Sequence, residues 1–511
     1  MPDDKFADSL EEFVSEHLAG IENPVRARKV IHECTWGTNR YERHEIALLD
    51  TPLLQRLRDI QQLGFGFFTF PTAIHSRFDH TLGVVTQASH FSDMLREKYI
   101  REDQNPIQDQ DKIHLRLAAL LHDVGHCIFS HASEEVYGLL PEMQVIRSNK
   151  PYVNNSPHEV LTAKILETKA FGVSFDKVRD NYTVDCKIED LTNFILGHDE
   201  KAFRFRSDIL NGPFDADKLD YQFRDARFSG IPMTIDLDRL WYATGIGEVE
   251  DYEGHKWKRL VVDYTGTSPL EQILFNRIQL YPSLYHHHKV RAGLCMLKGI
   301  IEYVQKKKQT GVYFGRKSGV RFNKLSDFLW GSELDFWAMG TRYEKNSTMH
   351  NLVHDLQYRR LLKRAMIISF KTIKRDDGWK EIQSKRHSYN IDMHEKLRKT
   401  ARRIAREARK KGIKCYDEQV WIDLPLPPRV SKDMWGAFVQ FSDESKEPLP
   451  EVFPIQQWLE LYDMHKWRGH VFVPLGHEQE FAPIVKGILK EEFKLNPEDT
   501  AFTHCNLTPP K

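Results

Sequence analysis

The sequence predicts a mainly α-helical body followed by a C-terminal α+β accessory lobe, and three observations carry that expectation. Apolar residues recur with helical spacing through the first three hundred positions, where strand-like alternation is scarce. Past about residue 310 the texture changes to Gly- and Lys-rich joints, with strand-like runs at 421–428 (WIDLPLPP) and 470–475 (HVFVPL). The length, 511 residues, exceeds what one compact core organises. The expected organisation is an N-terminal helical extension over 1–25, the helical body over 26–310, and an accessory and oligomerisation lobe over 311–511.

Each element has its local reason. Asp50-Thr51-Pro52 opens one helix, with proline early, where its missing N–H costs nothing, and Leu54, Leu57 and Ile60 continuing an apolar stripe. Gly64-Phe65-Gly66 is a connector. A second helix runs from Phe78 to about Tyr99; His80 shares a face with Val84 and Phe91, so its ring points inward. The nearly all-apolar run 115–124, LRLAALLHDV, reads as a buried helix ended by Gly125, which leaves His122 and Asp123 at a buried helix end. Further helices are expected over 188–196, closed by Gly197, and over 216–225. The segment 396–414 holds ten basic residues and one acidic, with Leu397, Ala401, Ile404 and Ala408 forming a narrow apolar stripe, and reads as a basic amphipathic helix.

Bulk properties exclude several classes. Lys plus Arg equals Asp plus Glu at 73 each, so no net charge draws the chain to nucleic acid or a membrane surface. Six dispersed cysteines form no C-x-x-C pair and no secreted disulfide framework. The N-terminus lacks a basic-then-apolar leader, and no run of eighteen apolar residues occurs, so a cytoplasmic protein without a membrane span is expected.

Chemistry concentrates in four pieces: His80 in RFDH, His122-Asp123 in LLHDVGH, His131 in FSH, and Asp217 in DADKLDY. Imidazole nitrogens with carboxylate oxygens suit a divalent ion such as Fe, Mn, Mg, Zn or Co. Adjacent side chains diverge by about 100° on a helix, yet a long imidazole and a short carboxylate can still meet one ion. A His-Asp dipeptide alone is commonly a hydrogen-bonded surface pair, and His198-Asp199, just past Gly197, reads as one. His122-Asp123 differs because a carboxylate ending an apolar helix demands a cation.

The stretches DTPLLQRLRDIQQLG, FPTAIHSRFDHTLGV, LAALLHDVGHCIFSH, NGPFDADKLDYQFRDA and FNRIQLYPSLYHHHK, in this order, resemble the HD superfamily. Within it they are most similar to the deoxynucleoside triphosphate triphosphohydrolases, in both the vertebrate sterile-alpha-motif/HD branch and the bacterial dGTPase-like branch. No sterile-alpha-motif segment is read ahead of the match. The resemblance implies an HD-domain helical core with His80, His122, Asp123 and Asp217 as metal ligands. It implies His131 as catalytic histidine, Glu134 orienting it, and His126 and His158 as further active-site residues. It implies Arg77, Lys218 and Arg277 at the phosphates, Tyr221 and Asp225 at the sugar, Gln62, Leu63 and Tyr285 around the sugar's 2′ side, and His287 at the active site. His286 stands where the vertebrate branch has glutamine. The implied reaction releases deoxynucleoside and inorganic triphosphate.

The same resemblance implies a regulatory guanine nucleotide held by Lys29, Val30, Asp50, Gln55 and Arg58, second-activator contacts at Arg359 and Lys363, and a homo-oligomer, dimer or tetramer. Residue types fit, since Asp and Gln read a base edge while Lys and Arg hold phosphate. The plain alternative is that Asp50 caps a helix whose solvated face carries Arg58. Three rival functions remain in view: the 396–414 helix as a single-strand nucleic-acid surface, an HD phosphodiesterase or nuclease acting on another nucleotide, and a non-enzymatic nucleotide sensor. The biological roles consistent with these readings are nucleotide-pool control, defence against phage or virus, and repair.

Overall fold

The computed structural model describes all residues except 1, 19–20, 22–24, 101–105, 199–202, 251–253, 307–311, 315–316, 386–390, 428–434 and 511. Asp199 of the expected surface pair and the last proline of WIDLPLPP therefore lie outside the described residues. The fold is mainly helical, and the chain forms two compact units. One comprises Met1–Arg277, Lys324–Glu333 and Val430–Ile455; the other Ile278–Asn323, Leu334–Arg429 and Gln456–Lys511.

In the first unit, Ser76 and Asp79 form a reciprocal cap that starts the helix Arg77–Lys98. This helix packs against Asp109–Leu121 on one side and Ala216–Ser229 on another. Leu82, Val84, Phe91, Leu117, Leu120 and Leu219 are fully buried between them. The buried helix begins earlier than expected, at Asp109, and ends at Leu121 rather than continuing to residue 124. Val124 N–H turns back to the Leu121 carbonyl and His126 N–H to that of Asp123, so His122 and Asp123 sit in a tightened turn. The helix expected from Pro52 to Ile60 is broken in two, Pro52–Gln55 and a narrower turn Arg56–Asp59. From there Arg56 reaches the carbonyls of Val124 and, at 2.9 Å, His126. Ile188–Leu196 is found as expected, closed by Gly197 in the left-handed region, and Ala216–Ser229 runs four residues past its expected end, to Gly230.

Strands that the sequence did not announce also belong to this unit. Lys29–Glu33 pairs antiparallel with Gly37–Tyr41. A four-stranded sheet runs in the order Lys446–Pro448, Phe438–Gln440, Lys256–Asp263, Thr244–Glu250, its Lys256–Asp263 and Phe438–Gln440 pair parallel.

The second unit is α+β. Gly469–Val473 is the central strand between Lys363–Ile368 and Trp421–Asp423, all antiparallel. Both strand-like runs of the sequence are present but shorter than expected, because Pro425 and Pro474 cannot extend the ladders. Ile404 and Ala408 from the helix Ile391–Lys410 join Val471, Phe481 and Val485 in one core. The units divide ahead of the expected boundary at residue 310. Thr267–Leu280 gives way to a widened turn at Tyr281–Tyr285, and the following helix, His288–Lys306, packs on Thr348–Gln357 within the second unit.

Candidate metal centre and active site

Three helices of the first unit bring the predicted ligands together. His80 comes from Arg77–Lys98, His122 and Asp123 from the turn after Asp109–Leu121, and Asp217 from the first turn of Ala216–Ser229. His80 Nε2 lies 3.0 Å from Asp217 Oδ1 and 3.7 Å from Asp123 Oδ2, and His122 Nε2 lies 3.3 Å from Asp123 Oδ1. The ligand atoms of His80, His122 and Asp123 lie within 4.8 Å of one another. Nε2 of both histidines is buried and makes no well-aligned hydrogen bond. Buried polar atoms without partners are costly, and two imidazoles with two carboxylates form a donor set that a divalent ion satisfies. The residues fit such an ion.

The other nitrogens are already committed. His80 Nδ1 is 2.7 Å from Asp220 Oδ2, and His122 Nδ1 is 2.7 Å from the Ala119 carbonyl, which aims each Nε2 into the pocket. Asp220 in turn accepts from Nε and Nη2 of the buried Arg224, at 2.9 Å each, and from the Trp36 indole. Sequence reasoning missed Asp220, although its spacing from Asp217 and Arg224 along one helix was the available signal. Gly83 makes the approach possible: a Cβ there would stand 1.8 Å from Asp220 Oδ1.

Electrostatics match the geometry. Burial opposes protonation of His80, but the adjacent Asp217 and Asp220 carboxylates outweigh that and hold the imidazole up to about 10. Burial would raise the Asp123 carboxyl; His122, Arg77 and His126 overcome it and hold the group well below the usual carboxylate range. Asp217 is also lowered, against its own burial, by His80.

Beside this pocket stands a second cluster. His131 begins the helix His131–Tyr137, its Nδ1 2.6 Å from Glu134 Oε2, while His158 Nδ1 lies 3.2 Å from Glu134 Oε1. The His131 side chain is 63% exposed, so a substrate can reach it, whereas Glu134 is buried. Glu134 is held well below its usual range: burial works the other way, and His158 and His131 prevail. His158 is carried up to about 9, because Glu134 more than offsets its desolvation. The His126 ring stacks on His158 at 4.1 Å and its Nε2 is 3.3 Å from Asp123 Oδ1, which joins the two clusters. Desolvation, with Arg77 and His158 adding to it, keeps His126 neutral near pH 7.

The expected phosphate and sugar residues fall into two groups. Arg77 is buried, with Nη1 2.8 Å from Asp123 and Nε 2.9 Å from Ser130 Oγ. Lys218 pairs with Asp215 at 2.6 Å, Asp225 accepts from His75 at 2.8 Å, Gln62 is buried, Leu63 and Tyr221 are half-buried, and Arg277 is buried in Thr267–Leu280. Tyr285 and His287 belong to the second unit. Of the expected regulatory residues, Lys29 forms an exposed ion pair with Asp50, Arg58 donates to Gln55 at 2.7 Å, and Val30 is 62% exposed. Arg359 and Lys363 are exposed in the second unit.

Two family models match the chain, the HD domain over residues 77–203 and the HD associated region over 249–500. The first spans His80, the His122-Asp123 turn, His131 and His158. The chain is an HD-domain protein with an HD-associated region. Among its relatives are the deoxynucleoside triphosphate triphosphohydrolase SAMHD1 of Homo sapiens, 29% identical over 44% of this chain, and the SAMHD1 homolog of Dictyostelium discoideum, 30% identical over 42%. The matches span 37% and 39% of those proteins' own lengths. An uncharacterized protein of Methanocaldococcus jannaschii is 24% identical over 87% of this chain and 79% of its own. A phosphohydrolase from Bacteroides thetaiotaomicron shares the fold, with a TM-score of 0.62 and 19% identity, over 88% of this chain and all of that one. No helix among the described residues is long and apolar enough to cross a membrane.

Proposed function

We propose that the protein hydrolyses deoxynucleoside triphosphates to deoxynucleoside and inorganic triphosphate. The observation that carries this reading is the junction of the two clusters: a four-residue metal pocket joined through His126 to an exposed histidine backed by a buried carboxylate. A divalent ion held by His80, His122, Asp123 and Asp217 supplies Lewis-acid polarisation of a phosphoryl oxygen and lowers the proton affinity of a water. His131, oriented by Glu134, donates a proton to the departing 5′ oxygen, a leaving group too basic to depart unprotonated. Arg77, Lys218 and Arg277 supply the positive charge that a triphosphate needs. Gln62, Leu63, Tyr221 and Asp225 serve the sugar, and the family resemblance adds Tyr285 and His287 as substrate-binding residues. The triphosphohydrolase activity for which the SAMHD1 relatives are named supports the substrate class.

A regulatory nucleotide bound by Lys29, Val30, Asp50, Gln55 and Arg58, second-activator contacts at Arg359 and Lys363, and a homo-oligomer belong to the same proposal, as does a cytoplasmic location. Lys29 pairs with Asp50, and Arg58 with Gln55, on exposed parts of the first unit, and these residue types suit a base edge and a phosphate. The test is product analysis of each dNTP and rNTP incubated with Mn, Fe or EDTA. Deoxynucleoside plus triphosphate is expected, with turnover abolished in His122→Ala and Asp123→Ala. Monophosphate plus pyrophosphate would assign a different hydrolase, and inertness toward every free nucleotide would leave a sensor or nuclease.

A further inference from the structure

Glu333 is a buried carboxylate that no motif of the sequence announced. It is 4% exposed, and its Oε1 alone accepts two backbone N–H groups, from Gln61 at 2.8 Å and from Phe129 at 3.2 Å. Oε2 is buried with no hydrogen-bond partner. Burial pushes the group up to about 8, and the charge of Asp59 adds to the rise. A carboxylate so placed is a liability for stability, and what it holds accounts for its presence.

Phe129 and Ser130 both adopt positive φ, +56° and +53°, in a region that residues other than glycine rarely occupy. Ser130 is the residue from which the His131–Tyr137 helix starts, so this strained pair sets where the His131 ring stands. Strained backbone persists only where its surroundings over-determine it. Here Glu333 grips Phe129 N–H, Arg77 grips Ser130 Oγ, and Gly64, itself at φ +50°, lies so close that a Cβ added to it would stand 3.2 Å from the Phe129 carbonyl oxygen. The same Glu333 oxygen ties in Gln61, next to Gln62 and Leu63.

We propose that Glu333 is a positioning residue: it clamps the 61–64 and 129–130 turns together and so places His131 against the leaving group. This rests on the reading of His131 as proton donor. Loss of Glu333 harms proton delivery more than it harms attack at phosphorus.

The test compares full-length, metal-loaded wild type, Glu333→Ala and Glu333→Gln on a dNTP and on bis(4-nitrophenyl) phosphate, whose aryl leaving group departs without a proton. Glu333→Ala is expected to lower kcat for the dNTP about tenfold or more while the aryl ester rate stays within about threefold. Faster deuterium exchange at the Phe129 amide should accompany the loss. Glu333→Gln, whose amide oxygen can accept both N–H groups, should recover most of the dNTP rate. Equal losses on the two substrates, a Glu333→Ala enzyme as fast as wild type, or a Glu333→Gln enzyme no better than Glu333→Ala would overturn the proposal. Wild type inert toward dNTPs is a different outcome: it removes the substrate reading on which the proposal stands.

Discussion

His80 shows how one residue's partners decide what it can do. Its Nδ1 is spent on Asp220, so only Nε2 faces Asp217 and Asp123. Replacing Asp220 by Ala frees the ring to turn and leaves Arg224 without its main partner. Metal affinity should fall about 10- to 100-fold, the usual cost of losing such an orienting group, as read by competition with a chelator; an unchanged affinity would remove Asp220 from the site. His158 offers a second prediction, in pH. Glu134 lifts it in the fold to about 9, above the ordinary histidine value of about 6.5, so the pairing stabilises the fold fully below about 6.5 and is lost as pH rises through about 9. Thermal melts of the wild type should drop between pH 7 and 9, and His158→Gln should flatten that drop while lying lower at pH 6. A wild-type profile flat over this window would show that the pair contributes nothing to stability.

At the scale of elements, the helices Arg77–Lys98 and Ala216–Ser229 form the jaws of the metal pocket, and Gly83 sets how closely they meet. An alanine there would place Cβ 1.8 Å from Asp220 Oδ1 and 2.5 Å from Arg224 Nη2, both buried. Alanine favours a helix over glycine by about 1 kcal/mol, but overpacking costs about 1–3 kcal/mol. Gly83→Ala should therefore melt several degrees lower and bind metal more weakly, because His80 and Asp217 part; a variant more stable than wild type with full metal affinity would show that the jaws can give. How the elements were read follows from the same physics. Helical spacing exposed His80's inward face and the closure of Ile188–Leu196 at Gly197, since periodicity and a left-handed cap are local signals. The turn at Val124 stayed hidden because backbone bonds from Val124 and His126 override an apolar run that looks helical. The hairpin Lys29–Tyr41 was illegible because its largely exposed strands show no apolar alternation, and the sheet edge at Phe438–Gln440 because this short strand takes its stability from a partner far back in the chain, Lys256–Asp263. Glu333 escaped for the same reason: Gln61 and Phe129 lie some two hundred residues or more before it in the chain.

Over the whole molecule, opposite charges balance at 73 each, and the basic helix Ile391–Lys410 shows that the balance is also local. Arg398 and Arg402 both bond to Glu302, Arg402 at 2.6 Å; Arg403 meets Glu491 and, at 2.5 Å, Glu492; Arg409 holds Asp417 at 2.8 Å; Lys396 reaches Glu381 at 3.3 Å. Arg398 is moreover buried, its guanidinium 4.0 Å over the Trp421 ring. Tyr389, one of the two rings flanking this helix in sequence, lies outside the described residues. Cations already neutralised by carboxylates release few counterions when a phosphate chain approaches, and counterion release is what drives non-specific nucleic-acid binding. Only the outward-facing members of the run, such as Lys399, Arg406 and Lys410, remain exposed, and Lys399 and Lys410 each have a carboxylate within 3.0 Å. The protein should therefore bind fluorescent single-stranded DNA weakly at about 150 mM salt, with a shallow slope of log K against log salt corresponding to about two phosphates or fewer. Replacing Arg403 and Arg406 by Ala should change that binding little. Tight binding with a slope of six or more phosphates, lost in the double variant, would mean that these ion pairs open to receive a strand and would restore the nucleic-acid reading of the helix.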